Sequence, residues 1–102
     1  MLVLAILRDG PLHGYAIARE IERRSSHLLK FKEGTLYPVL HSLEHNQWLE
    51  SSWDVSSGGP ARKVYALTSL GQAELVKRTG IWQEFSTAVG NIIKGDACET
   101  PS

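Results

Sequence analysis

Apolar and polar positions change their period several times along the chain, and each change marks an element. Leu2 to Leu7 is apolar almost throughout and stops at "RDGP", so it reads as a buried helix beginning at or before Met1, with Gly10 and Pro11 making the turn. From about Gly14 to Arg24, Ile17 and Ile21 share one face while Glu20, Arg23 and Arg24 take the others, which predicts an amphipathic helix. "SSHLLKFK" then connects, with Leu28, Leu29 and Phe31 as apolar anchors.

A third helix is expected from near Thr35 to His45, with Leu36, Val39, Leu40 and Leu43 as its buried stripe. With Thr35 as cap, Pro38 falls in the first turn, where its missing N–H removes no helical hydrogen bond. The period then shortens to two. "WLESSWDV" and "KVYAL" read as strands around a Gly58–Gly59–Pro60 tip, forming a β-hairpin, with Tyr65 leaning to the core. A last helix runs from a cap at Thr68 or Ser69 to about Lys94, with a capping box possible between Ser69 and Gln72.

The apolar stripe of that helix is Leu75, Trp82, Phe85, Val89 and Ile92, flanked by Ile81, Ala88 and Ile93. It is wider than a small domain needs, and such a stripe usually packs on a second copy. Gly80 and Gly90 each cost the helix roughly 1 kcal/mol relative to alanine, which packing must offset. The tail from residue 95 to 102 is polar and reads as disordered.

Composition narrows the function only a little. The 102 residues suit one domain, or one small domain plus an appendage, and 11 basic residues balance 11 acidic ones, so any nucleic-acid contact must be a local patch. Such a patch exists at Arg62 and Lys63, beside the hairpin tip, while residues 81–102 are mildly acidic. The one cysteine, Cys98, excludes an intramolecular disulfide and a thiolate zinc site. No apolar run reaches transmembrane length, and "MLVLAIL" lacks a basic start and a cleavage site, so a cytoplasmic protein is expected.

Two chemistries compete for the third helix. "HSLEH" spells the H-x-x-E-H pattern of certain zinc peptidases, but zinc needs a third ligand, and His13 and His27 follow no ligand spacing. Wound at ~100° per residue, the side opposite the leucines carries Gly34, Pro38, His41 and His45, with Tyr37 and Ser42 on its flanks. Together with Thr35 these hydroxyls and ring nitrogens suit phosphates and base edges, although the same pattern also fits a plain solvated face. His13 fits either a structural role or a phosphate contact at the start of the second helix. No catalytic set, resident metal or cofactor is expected, and the chain reads as a non-enzyme.

The order helix, helix, helix, hairpin, long helix is the layout of a winged helix-turn-helix, mainly α with a small β-hairpin. Three motifs strengthen it: "GPLHGYAIAREI", "EGTLYPVLHSLEHNQWLES" and "GGPARKVYALTSLGQAEL". In this order they resemble the PadR family of transcriptional regulators over nearly all of residues 4–93. The resemblance implies a winged-helix DNA-binding domain at 1–67 and a dimerisation helix at 68–94, acting usually as a homodimeric repressor. It implies double-stranded DNA with an inverted-repeat operator as partner, contacted by Thr35, Tyr37, Pro38, His41, Ser42, His45, Arg62 and Lys63. It also implies Leu75, Trp82, Phe85, Val89 and Ile92 at a dimer interface or in a pocket for a small aromatic or apolar effector. The alternative is a winged helix used for protein–protein contact. One departure stands out: the family usually has glycine where Gln47 stands, and Asn46 is the expected substitute in the left-handed conformation.

Overall fold

The computed structural model describes residues 1–55 and 59–95. Four helices, α1 (Leu2–Leu7), α2 (Gly14–Arg24), α3 (Glu33–His45) and α4 (Ser69–Lys94), accompany three strands, β1 (Leu12–His13), β2 (Leu49–Asp54) and β3 (Arg62–Leu67). The strands form one antiparallel sheet in the order β1-β3-β2. The fold is therefore α+β, a winged helix with β2 and β3 as the wing. Strand β1, two residues long, is too short to show alternation, and only its pairing of Leu12 with Tyr65 and His13 with Val64 defines it. Gly58 at the hairpin tip, the tail from residue 96 onward and Cys98 lie outside the described residues.

The core is continuous across the first three helices and the sheet. Val3, Leu4, Ile6 and Leu7 of α1 meet Ile17, Ala18 and Ile21 of α2 and Leu36, Leu40 and Leu43 of α3. Leu49 and Tyr65 close it from the sheet, and Leu75 closes it from α4. Burial of each Leu or Ile stabilises by ~1.5–3 kcal/mol, which is why α1 is held despite only six residues.

Several expectations are corrected here. Val39 is 44 % exposed and outside the core, because it lies roughly 70° from the centre of the Leu36–Leu40–Leu43 stripe. Helix α3 starts two residues earlier than expected, capped by Lys32 with no side-chain hydrogen bond, so Thr35 is not its cap. Pro38 consequently sits in the second turn and does remove one helical bond, the one to the exposed Gly34 carbonyl. Leu28, Leu29 and Phe31 do not anchor the α2–α3 connection, being 85 %, 41 % and 37 % exposed.

At the end of α3, Gln47 rather than Asn46 takes the left-handed conformation, with φ of 66° against −79°. The Trp48 N–H donates to the Leu43 carbonyl and the Gln47 N–H to that of Glu44, the paired bonds of a Schellman motif. Gln47 thus occupies the glycine-favouring position without being glycine. Its carbonyl accepts from the Thr68 hydroxyl at 2.7 Å, and that hydroxyl accepts from the Gly71 N–H at 2.9 Å. Thr68 is therefore the α4 cap, and its partner is Gly71, not a capping box to Gln72. A methyl group on Gly71 would overlap the Trp48 carbonyl, so the start of α4 lies directly against the backbone just before β2.

Candidate nucleic-acid interface

Helix α3 presents its polar side to solvent because its leucines occupy the opposite one. Thr35, Tyr37, Pro38, His41, Ser42 and His45 are all exposed. The Tyr37 ring lies over the backbone of Gly14 at the start of α2: a Cβ on Gly14 would come within 2.9 Å of Tyr37 Cε1. Glycine at that position lets α2 and the aromatic ring approach each other.

The wing supplies the facing wall. Alternation along β2 and β3 puts Leu49, Ser51 and Trp53 on one side with their partners Leu67, Tyr65 and Lys63. That side begins in the core and runs outward over α3. Its outer end, Trp53 with Lys63 and the neighbouring Arg62, borders an open cleft of about 700 Å³ shared with Tyr37, His41 and the start of α2. His41, Tyr37, Arg62 and Lys63 are thus brought together, whereas Thr35, Pro38, Ser42 and His45 continue the α3 surface beyond the cleft lining.

The two wing cations differ. Arg62 is exposed, but Lys63 is half-buried, its ammonium 3.5 Å from Glu44 Oε1 and 5.5 Å from the centre of the Tyr65 ring. Glu44 also accepts from the Ser51 hydroxyl at 2.6 Å. That hydrogen bond, and then the nearby lysine, hold the Glu44 carboxyl below its usual range. The glutamate of "HSLEH" is therefore tied to the wing, and among the described residues no three His, Cys, Asp or Glu side chains gather around a metal-sized space. Burial pushes the Tyr65 hydroxyl's pKa up, in keeping with its place in the core.

His13 lines the same cleft, its Nε2 3.3 Å from Asp54 Oδ2. It joins the start of α2 to the wing. The residue pattern points to no interface role for Trp53, which is exposed on the cleft, nor to a structural role for Glu44 and Ser51. The period-two spacing from Leu49 to Trp53 was the available signal for Trp53.

Along α4 only Gly71 and Leu75 are buried. Leu75 belongs to the chain's own core and not to an outward stripe, because it packs beside α1 where the helix begins. Farther along, Ile81, Trp82, Phe85, Ile92 and Ile93 are each more than half exposed, and Val89 is partly covered. The Trp82 and Phe85 rings lie 6.1 Å apart, forming one aromatic surface.

Residues 3–77 match the transcriptional regulator PadR-like family. The chain belongs to that family. It is 36 % identical over 81 residues to the transcriptional regulator Rv3488 of Mycobacterium tuberculosis, covering 79 % of this chain and 72 % of that one. Among solved structures it is similar to a PadR-like transcriptional regulator of Bacillus cereus, with a TM-score of 0.79 at 28 % identity over 91 % of this chain and 88 % of the other. It is also similar to Bacillus subtilis PadR solved in complex with operator DNA, with a TM-score of 0.69 at 26 % identity, over 76 % of this chain and 44 % of that longer one. The winged helix and the PadR resemblance read from the motifs both hold. No helix among the described residues is long and apolar enough to cross a membrane.

Proposed function

We propose that this PadR-like regulator is a cytoplasmic, non-enzymatic homodimer that represses transcription by binding an inverted-repeat operator. The observation that carries the reading is the convergence of the exposed α3 face and the wing on a single cleft. In it, α3 enters the major groove, where Thr35, Ser42, His41 and His45 meet base edges or phosphates and Tyr37 and Pro38 fit the groove wall. Arg62 rests on the adjacent backbone. The operator complex of the Bacillus subtilis relative supports the same use of the fold here.

Residues 1–67 carry the DNA surface, and α4 beyond Leu75 carries the dimer contact. Burying each of Trp82, Phe85 and Ile92 against a second copy stabilises the dimer by ~1.5–3 kcal/mol per side chain. The Trp82–Phe85 surface also fits a flat aromatic or apolar effector held between subunits, whose binding changes the angle between the two α3 helices and releases DNA. Half-sites then lie about one helical turn, ~34 Å, or a multiple apart.

The test is fluorescence anisotropy with the DNA upstream of the protein's own gene against a random duplex, alongside sedimentation. Arg62→Ala should weaken every duplex alike and flatten the salt slope by about one unit. Trp82→Ala with Phe85→Ala should yield monomers. No preference for any upstream segment would replace the reading with a winged helix that contacts protein.

A further inference from the structure

Glu44 is an anion set into a surface otherwise suited to DNA. Both its oxygens are engaged by the wing: Oε2 accepts from Ser51 Oγ at 2.6 Å, and Oε1 lies 3.5 Å from Lys63 Nζ. The ammonium also lies over the Tyr65 ring, so α3 and β3 enclose it from two sides. Yet the pair is not sealed in the core, because the two side chains keep 30 % and 32 % of their surface exposed. Lys63 stands next to Arg62 in β3, and both line the cleft. A carboxylate oxygen meets it where a phosphate oxygen otherwise would.

We propose that Glu44 is a built-in substitute for a DNA phosphate, holding Lys63 against α3 so that this cation adds no contact to DNA of arbitrary sequence. Each phosphate that a protein neutralises raises affinity for every sequence alike. Withholding one cation therefore lowers affinity for every duplex by the same factor and leaves the base-edge contacts of α3 untouched, so a larger share of the binding that remains depends on sequence. Glu44 is on this account a positioning residue within the recognition helix, not a base reader. The inference rests on the DNA-binding reading of the cleft.

Glu44→Gln is the decisive change, because the amide keeps an acceptor for Ser51 and the side chain's size but removes the charge. Anisotropy titrations with a random-sequence duplex between roughly 50 and 200 mM salt should show Glu44→Gln binding several-fold tighter, with a slope about one unit steeper. Lys63→Met alone should leave the wild-type slope unchanged, and Glu44→Gln with Lys63→Met should return to it. An unchanged slope for Glu44→Gln, or weaker binding to every duplex, overturns the proposal. Should Glu44→Gln fail to fold, Lys63→Met decides alone: a slope flattened by about one unit puts Lys63 on phosphate in the native protein and overturns it. Arg62→Ala separates the two levels. If it leaves the slope unchanged, the DNA reading of the cleft fails; if it flattens the slope while Glu44→Gln does nothing, only the role of Glu44 fails.

Discussion

The Thr68 hydroxyl donates to the Gln47 carbonyl at 2.7 Å while accepting from the Gly71 N–H at 2.9 Å. One side chain thus closes the end of α3 and the start of α4 together. The Thr68 N–H adds a third tie, donating to the Trp48 carbonyl at 3.1 Å. The join between α3 and α4 is made of backbone groups and one hydroxyl, so it is short.

Removing that hydroxyl should cost more than an ordinary cap. Thr68→Ala is expected to destabilise by ~1–2 kcal/mol, since it loses the N-cap and leaves the Gln47 carbonyl without its donor. Thr68→Ser should restore most of the loss. Denaturant unfolding measures both, at one fixed protein concentration so that any self-association weighs equally on the proteins compared. Equal stability of Thr68→Ala and the native protein would show that the join carries no weight.

Gly14 offers a way to move Tyr37 without touching it. In Gly14→Ala the new methyl meets the far edge of the Tyr37 ring, at 2.9 Å from Cε1 and 3.1 Å from the hydroxyl, and the ring swings aside. Alanine also favours the first turn of α2, so the melting temperature should hold or rise. DNA affinity should fall about fivefold, the equivalent of one hydrogen bond of ~1 kcal/mol. Undiminished affinity would remove Tyr37 from the interface.

Acid should loosen the α2 surface through Glu20, whose carboxyl the Arg23 and Arg24 guanidiniums bring down to about 2. Arg24 also reaches Asp9 in the α1–α2 turn at 2.9 Å. A carboxyl depressed in the folded state contributes stability that is complete above its ordinary value of 4.5 and lost as pH falls from there to about 2. Thermal melts across that window should decline less steeply for Glu20→Gln than for the native protein. Added salt should shrink the difference, because the pairs are solvent-exposed. Parallel curves for the two proteins would sink the claim.

Much of this molecule was legible from residue spacing, and the failures share a cause. Ile17 with Ile21, and Leu36 with Leu40 and Leu43, announce which side of α2 and α3 is buried because a helix repeats every 3.6 residues. Periodicity gives a face but not what covers it. Leu75 and Trp82, seven residues apart, share a side of α4, yet the first meets α1 and the second meets solvent. Val39 fails for a related reason, being apolar at the margin of its stripe. The pairing of Lys63 with Glu44, and of β1 with β3, depends on residues far apart in the chain and leaves no local trace. The left-handed residue is Gln47 and not Asn46, the better left-handed former, because the hydrogen bonds of the helix end choose the position.

The departure of α4 from the core after Leu75 makes that helix a lever. From Val76 to Lys94 it is an arm of roughly 28 Å at ~1.5 Å per residue, and a turn of about 10° at its root carries the tip about 5 Å. The root is the Thr68–Gln47 join, so a shift of that size at the far end corresponds to a small rotation where α4 meets the end of α3.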